Sequence, residues 1–122
     1  MGDQPQTVSG LLEKVLEFRD ARSWKQFHKP KDLALALSAE VGELAELFLW
    51  QKDDELKPPH LDPGLRRRFS EEIADVQIFL LLLVDALDLD LPAAVCAKLQ
   101  ENAGKYPVEK AYGSPKKYTD LG

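Results

Sequence analysis

Residues 40–50, EVGELAELFLW, read as an amphipathic helix with two acids in unexpected places. On a wheel of 3.6 residues per turn, Leu33, Leu37, Val41, Leu44, Leu47 and Phe48 form one apolar stripe. Glu40 falls inside that stripe and Glu43 at its edge, whereas Glu46 projects away. An ionised carboxylate among apolar side chains is costly unless it is paired. The stretch therefore calls for a partner elsewhere in the chain.

Residues 70–87, SEEIADVQIFLLLLVDAL, repeat the pattern. Glu72 falls among Leu65, Phe69, Val76, Phe79 and Leu83, and Asp75 lies near Leu82 and Ala86. Residues three apart on a helix are surface neighbours, so Glu40 with Glu43 and Glu72 with Asp75 make two acidic pairs facing inward. Antiparallel packing of the two helices brings all four carboxylates together. Like charges so close raise one another's pKa unless a cation neutralises them. Oxygen-only ligands suit Mg²⁺, Mn²⁺ or Ca²⁺. The four acids are read as metal ligands.

The rest of the chain supplies an all-α, four-helix bundle. No segment alternates with period two between turn signals, so no strand of consequence is expected. A first helix is expected from about Thr7 or Ser9 to Arg22, with Val8, Leu11, Leu12, Val15 and Phe18 on one face. SWKQFHKPKD, 23–32, breaks it. The second helix starts near Lys31 or Asp32 and runs to about Gln51. After the loop QKDDELKPPHLDPG, Asp62 and Pro63 fit the N-cap and first position of a third helix reaching Leu87. Pro92 opens a fourth, ending around Gly104 to Pro107, and the tail from Val108 is expected to be irregular.

With 122 residues, 44% hydrophobic and 30% charged, the chain is expected to form a single domain, 1–122, with flexible ends over 1–6 and 113–122. A net charge of −5 argues against binding nucleic acid broadly, which needs a basic footprint. MGDQPQT lacks the regions of a signal peptide, and the apolar run 78–84 is far short of a membrane span. A cytoplasmic protein without membrane attachment is expected. Cys96 stands alone, which excludes an intramolecular disulfide, and is read as a small buried apolar residue. Ile78 to Val84 is apolar all round, and Leu35 and Leu49 lie on the far side of the second helix. Both features point to an oligomer.

EVGELAELFLW followed by EEIADVQIFLLLL resembles the ExxE…ExxD signature of the MazG-like, all-α nucleoside triphosphate pyrophosphatases, and most of all their dCTP pyrophosphatase branch. The likeness runs from about Arg22 to Asp120. It takes in DARSWKQFHKP, the LFLW ending of the second helix, DLPAAVCAKLQENAGKYP and KKYTDL. The resemblance implies hydrolysis of a (deoxy)nucleoside triphosphate, dCTP or a modified dCTP, to the monophosphate and pyrophosphate. Mg²⁺, with Mn²⁺ as the alternative, would be held by Glu40, Glu43, Glu72 and Asp75. It further implies a homotetramer whose sites borrow from neighbouring subunits.

On the same resemblance Trp24 and Trp50 help enclose the base, and a flat aromatic suits stacking. His28, in the same aromatic loop, is a candidate for hydrogen bonding to base or sugar. Lys98, Asn102 and Lys105 share one face of the fourth helix with Tyr106 next. The related branch carries such a set for the β and γ phosphates. Lys116, Lys117 and Tyr118 are candidates to close over a neighbouring site. The base pocket departs from the dCTP-specific pattern at Phe79, where relatives tend to carry Tyr, and at Val15, where they offer His. Both departures weaken strict cytosine selection. The competing readings are a broad-specificity house-cleaning pyrophosphatase, a non-catalytic nucleotide-binding regulatory bundle and a di-iron carboxylate protein. The last needs Glu-x-x-His pairs, which these helices lack.

Overall fold

The computed structural model describes residues 4–122. Of the start expected to be flexible over 1–6, residues 1–3 and the opening of the signal-peptide reading fall outside this range. Among the described residues the helices are α1 Val8–Ala21, α2 Pro30–Glu46, α3 Asp53–Leu56, α4 Pro63–Ala86, α5 Leu91–Lys105 and α6 Val108–Ala111, with no strand. The four long helices are those expected, and the fold class is all-α. Two additions fall in segments read as loop or tail: the single turns α3 and α6. Short 3-10 turns at Lys25–Phe27, Pro58–His60 and Tyr118–Asp120 accompany them. The chain divides after Asp88 into two compact units, described in turn. None of the described helices is long and apolar enough to cross a membrane.

In the first unit, α1 and α4 start at side-chain caps and α2 at a proline. The Thr7 side chain accepts from Gly10 N–H at 3.0 Å, and Asp62 accepts from Leu65 N–H at 3.0 Å with Pro63 following. Pro30 begins α2, where its missing N–H costs nothing. α2 and α4 pack together antiparallel. Phe48 stacks on Phe69 with centroids 4.6 Å apart, while Glu40, earlier on α2, meets Glu72, later on α4. Leu33, Leu47, Leu81, Leu82 and Val84 form the buried apolar core.

Two helix expectations need correction. α2 ends at Glu46 rather than near Gln51. Over Leu47–Gln51 the N–H groups of Leu47, Phe48, Leu49 and Gln51 bond three residues back, and Trp50 adopts φ 69°. Such tightening releases the chain from the helix although the residues are apolar. The buried face of α1 is also rotated from the one expected. Val8, Leu11 and Phe18 are exposed, Leu12, Val15 and Leu16 are half-buried, and Arg19 is 5% exposed.

α1 closes with a Schellman motif. Ser23 N–H bonds to the Asp20 carbonyl at 3.1 Å and Trp24 N–H to the Arg19 carbonyl at 3.1 Å, with Ser23 at φ 54°. Phe18 meets Trp24 edge to face at 5.8 Å, the apolar contact that usually accompanies this cap.

The second unit begins with Asp90 capping α5 by accepting from Ala93 N–H at 3.0 Å. The helix starts at Leu91, so Pro92 lies inside its first turn. Cys96 is exposed, not buried.

Candidate active site

Glu40 and Glu43 project from α2, and Glu72 and Asp75 from α4. One carboxylate oxygen from each of Glu40, Glu43 and Glu72 lies within 4.8 Å of the others. Glu40 and Glu72 are half-buried, whereas Glu43 and Asp75 retain more exposure than a wholly inward-facing pair would. Asp75 stands outside the three-oxygen cluster, yet its charge acts on Glu40. The Oε2 atoms of Glu40 and Glu72 are buried without a hydrogen-bond partner. Ionised carboxylates only accept, so such an approach is satisfied by a proton or by a cation. Burial comes first among the causes that push the Glu40 carboxyl up to about 7 from its ordinary 4.5. The charge of Glu43, the close approach of Glu72 and the charge of Asp75 follow. Hard oxygen donors with orphaned lone pairs fit a divalent cation of the Mg²⁺ or Mn²⁺ kind.

A cavity of about 140 Å³ opens between α1, the aromatic loop and α4, with Val15, Arg19, Trp24, His28, Phe79 and Leu82 in its walls. Phe79 lies four residues after Asp75 on α4, so the cavity follows the acids along that helix. Trp24 and His28 thus share the cavity, with His28 Nδ1 buried and unpartnered. Trp50 does not join them: it is 95% exposed. Both positions that depart from the dCTP-specific pattern, Val15 and Phe79, are cavity walls and bring no polar atom on their side chains.

In the second unit, the stripe of Lys98, Asn102 and Lys105 also contains an acid. Glu101 accepts from Lys98 at 3.4 Å and from Lys105 at 3.1 Å. The Lys105 contact, first, holds the Glu101 carboxyl below its usual value and raises Lys105. Tyr106 meets Tyr118 edge to face at 5.9 Å, and Lys105 Nζ lies 5.0 Å above the Tyr118 ring. Tyr118 thus packs on α5's end within its own chain.

The MazG-like family model matches residues 35–121, which carry all four acids and the α5 stripe. The chain belongs to the MazG-like family. Among its MazG-like relatives, dCTP pyrophosphatase 1 of Bos taurus is 48% identical over 115 residues, spanning 94% of this chain and 68% of that protein. The Homo sapiens protein of the same name is 47% identical over 115 residues with the same shares. The structure is similar to that of a pyrophosphatase from Archaeoglobus fulgidus, with a TM-score of 0.72 and 37% identity, over 88% of this chain and 98% of that one.

Two features lie outside the motifs. Buried Arg19 and half-buried Asp85 form an ion pair at 2.7 Å, sixty-six positions apart in sequence, and Glu101 interrupts the basic stripe. A signal for the first pair existed. Arg19 follows Leu12 by seven and Val15 by four, and Asp85 follows Leu81 by four, so each charge lies on an apolar stripe, as Glu40 does.

Proposed function

We propose that this chain is a divalent-metal-dependent nucleotide pyrophosphatase. It hydrolyses a (deoxy)nucleoside triphosphate, dCTP or a modified dCTP, to the monophosphate and pyrophosphate, with Mg²⁺ or alternatively Mn²⁺. The carrying observation is the cluster of three carboxylate oxygens within 4.8 Å, two of the acids having an orphaned buried oxygen. It occurs in a chain about half identical to proteins named dCTP pyrophosphatase 1.

Glu40, Glu43, Glu72 and Asp75 hold the cation. Bound there, it supplies Lewis-acid polarisation of the phosphate. The carboxylates orient the attacking water, whose oxygen bonds to the α-phosphorus as the bond to pyrophosphate breaks, and one of them takes its proton. Lys98, Asn102, Lys105 and Tyr106 hold the β and γ oxygens, the lysines leaving Glu101 to do so. Trp24 stacks on the base and His28 hydrogen-bonds to it or to the sugar.

The assembly is a homotetramer. Leu81, Leu82 and Val84 are buried within the chain, but Ile78 and Leu80 of the same run are 40% and 37% exposed. Ile73, Leu80 and Leu87 extend an apolar stripe at seven-residue intervals, which another helix covers well. Trp50, fully projecting, serves the site of a neighbouring subunit.

One observation favours a wider substrate range: Val15 and Phe79 line the cavity without the imidazole and hydroxyl of the dCTP-specific pattern. The test is pyrophosphate release from a panel of common and modified nucleoside triphosphates, with Mg²⁺ and with chelator. Release that requires metal supports the proposal. Absence of release from every member would refute it.

A further inference from the structure

Arg19 is an expensive residue to bury. Its side chain is 6% exposed and holds two carboxylates: Nε donates to Asp20 at 2.9 Å and Nη1 to Asp85 at 2.7 Å. Its partners are more open than it is, the Asp85 and Asp20 side chains being 29% and 58% exposed. A charge pair of this kind is weak evidence for a purely stabilising role, which leaves the arginine open to a second one. A guanidinium offers five N–H donors and no acceptor. Its Nη2 amine makes no hydrogen bond among the described residues, and the side chain is a wall of the cavity that holds Trp24, His28 and Phe79. The two aspartates fix the plane of the fork.

We propose that Arg19 determines base specificity, donating from its free amine to a carbonyl oxygen of a pyrimidine seated in this cavity. The inference rests on the nucleotide reading of the preceding subsection and deepens it. Val15, Phe79 and Leu82 present only carbon to a ring, so the guanidinium, together with His28, supplies the polar contacts those walls lack. A donor-only group demands an acceptor. Cytosine, uracil and thymine all carry a carbonyl at position 2, whereas adenine carries none. Trp24 supplies the stacking face that seats the ring beside the guanidinium; Arg19 reads the ring's edge.

The deciding variant is Arg19→Met combined with Asp85→Leu, which removes the pair together and leaves no unpaired charge at Asp85. The preference for dCTP over dATP, as the ratio of kcat/KM values, is expected to fall by about tenfold or more, the size of a hydrogen bond from a charged donor. A smaller change in a variant with an intact helical signal overturns the proposal, as does a wild-type enzyme with no such preference. A merely structural arginine would lower both substrates alike. Wild-type protein provides a second readout, whether or not the variant folds. The ¹⁵N resonance of the Arg19 Nε–H, assigned with Arg19→Lys, is expected to move on titration with dCMP and not with dAMP. No movement at saturating dCMP overturns the proposal. Movement in a protein that hydrolyses no triphosphate would retain Arg19 as a base reader and remove the pyrophosphatase reading instead.

Discussion

Glu40 on α2 and Glu72 on α4 face each other, each with a buried carboxylate oxygen that no hydrogen bond satisfies. The arrangement is unfavourable for the protein alone and favourable around a cation. Glu40→Gln is expected to lower turnover by about a hundredfold or more while leaving the helical signal unchanged. Metal-free protein should gain thermal stability from the substitution, because a repelled charge is removed. Activity near wild type would end the assignment of Glu40 as a ligand.

The pH dependence of metal-free protein follows with a definite sign. Glu40 titrates at about 7 in the fold against an ordinary 4.5. Between those values the folded state binds more protons than the unfolded one, so this group's contribution to stability falls as pH rises. Below 4.5 the contribution is fully present, and above about 7 it is lost. Urea denaturation across that window should show the wild type losing stability relative to Glu40→Gln. Divalent cation should reverse the trend, since it binds the deprotonated carboxylates. Parallel curves for the two proteins would contradict the site's electrostatics.

Base and phosphate recognition should separate by mutation. Trp24→Ala is expected to raise KM by about 1–3 kcal/mol of lost stacking and to blur discrimination among bases. Lys98→Ala should weaken every triphosphate alike, because phosphate contacts carry no base information. Steady-state kinetics with dCTP, dTTP and dATP measures both. Altered base preference in Lys98→Ala, with preference intact in Trp24→Ala, would invert the two roles.

Assembly is tested at Leu80. Placing a charge in the Ile73–Leu80–Leu87 stripe, as Leu80→Glu, should convert a tetrameric mass to a smaller species in light scattering. A wild-type protein that is monomeric at micromolar concentration would remove the tetramer outright.

Much of this was legible in the sequence where local chemistry is decisive. Asp62 and Pro63 mark the start of α4 because a cap and a fixed φ act within one turn. Glu40 stood out because its neighbours on the wheel are apolar. The end of α2 was not legible: LFLW continues a helical pattern, and the turn through Trp50 places a bulky residue at φ 69°, where glycine is the usual occupant. Arg19 was missed because the apolar face of the first helix was drawn through Phe18, which is exposed, rather than through Leu12, Val15 and Arg19, and its distant partner Asp85 appears only in the fold.

The closure of α1 bears on how a ligand would meet the two indoles. The backbone of Trp24 is held through its N–H by the Arg19 carbonyl, and its ring meets Phe18 edge to face, all within seven consecutive residues. Folding has already removed part of its conformational freedom, so stacking there requires less further ordering. Trp50 has no such tether and is 95% exposed. Immobilising a free side chain costs about 0.5–1.5 kcal/mol on binding, and that entropy is still to be lost at Trp50. Of the two, Trp24 is the preorganised surface, and calorimetry of nucleotide binding should show a more unfavourable entropy when Trp50 is present than in Trp50→Ala.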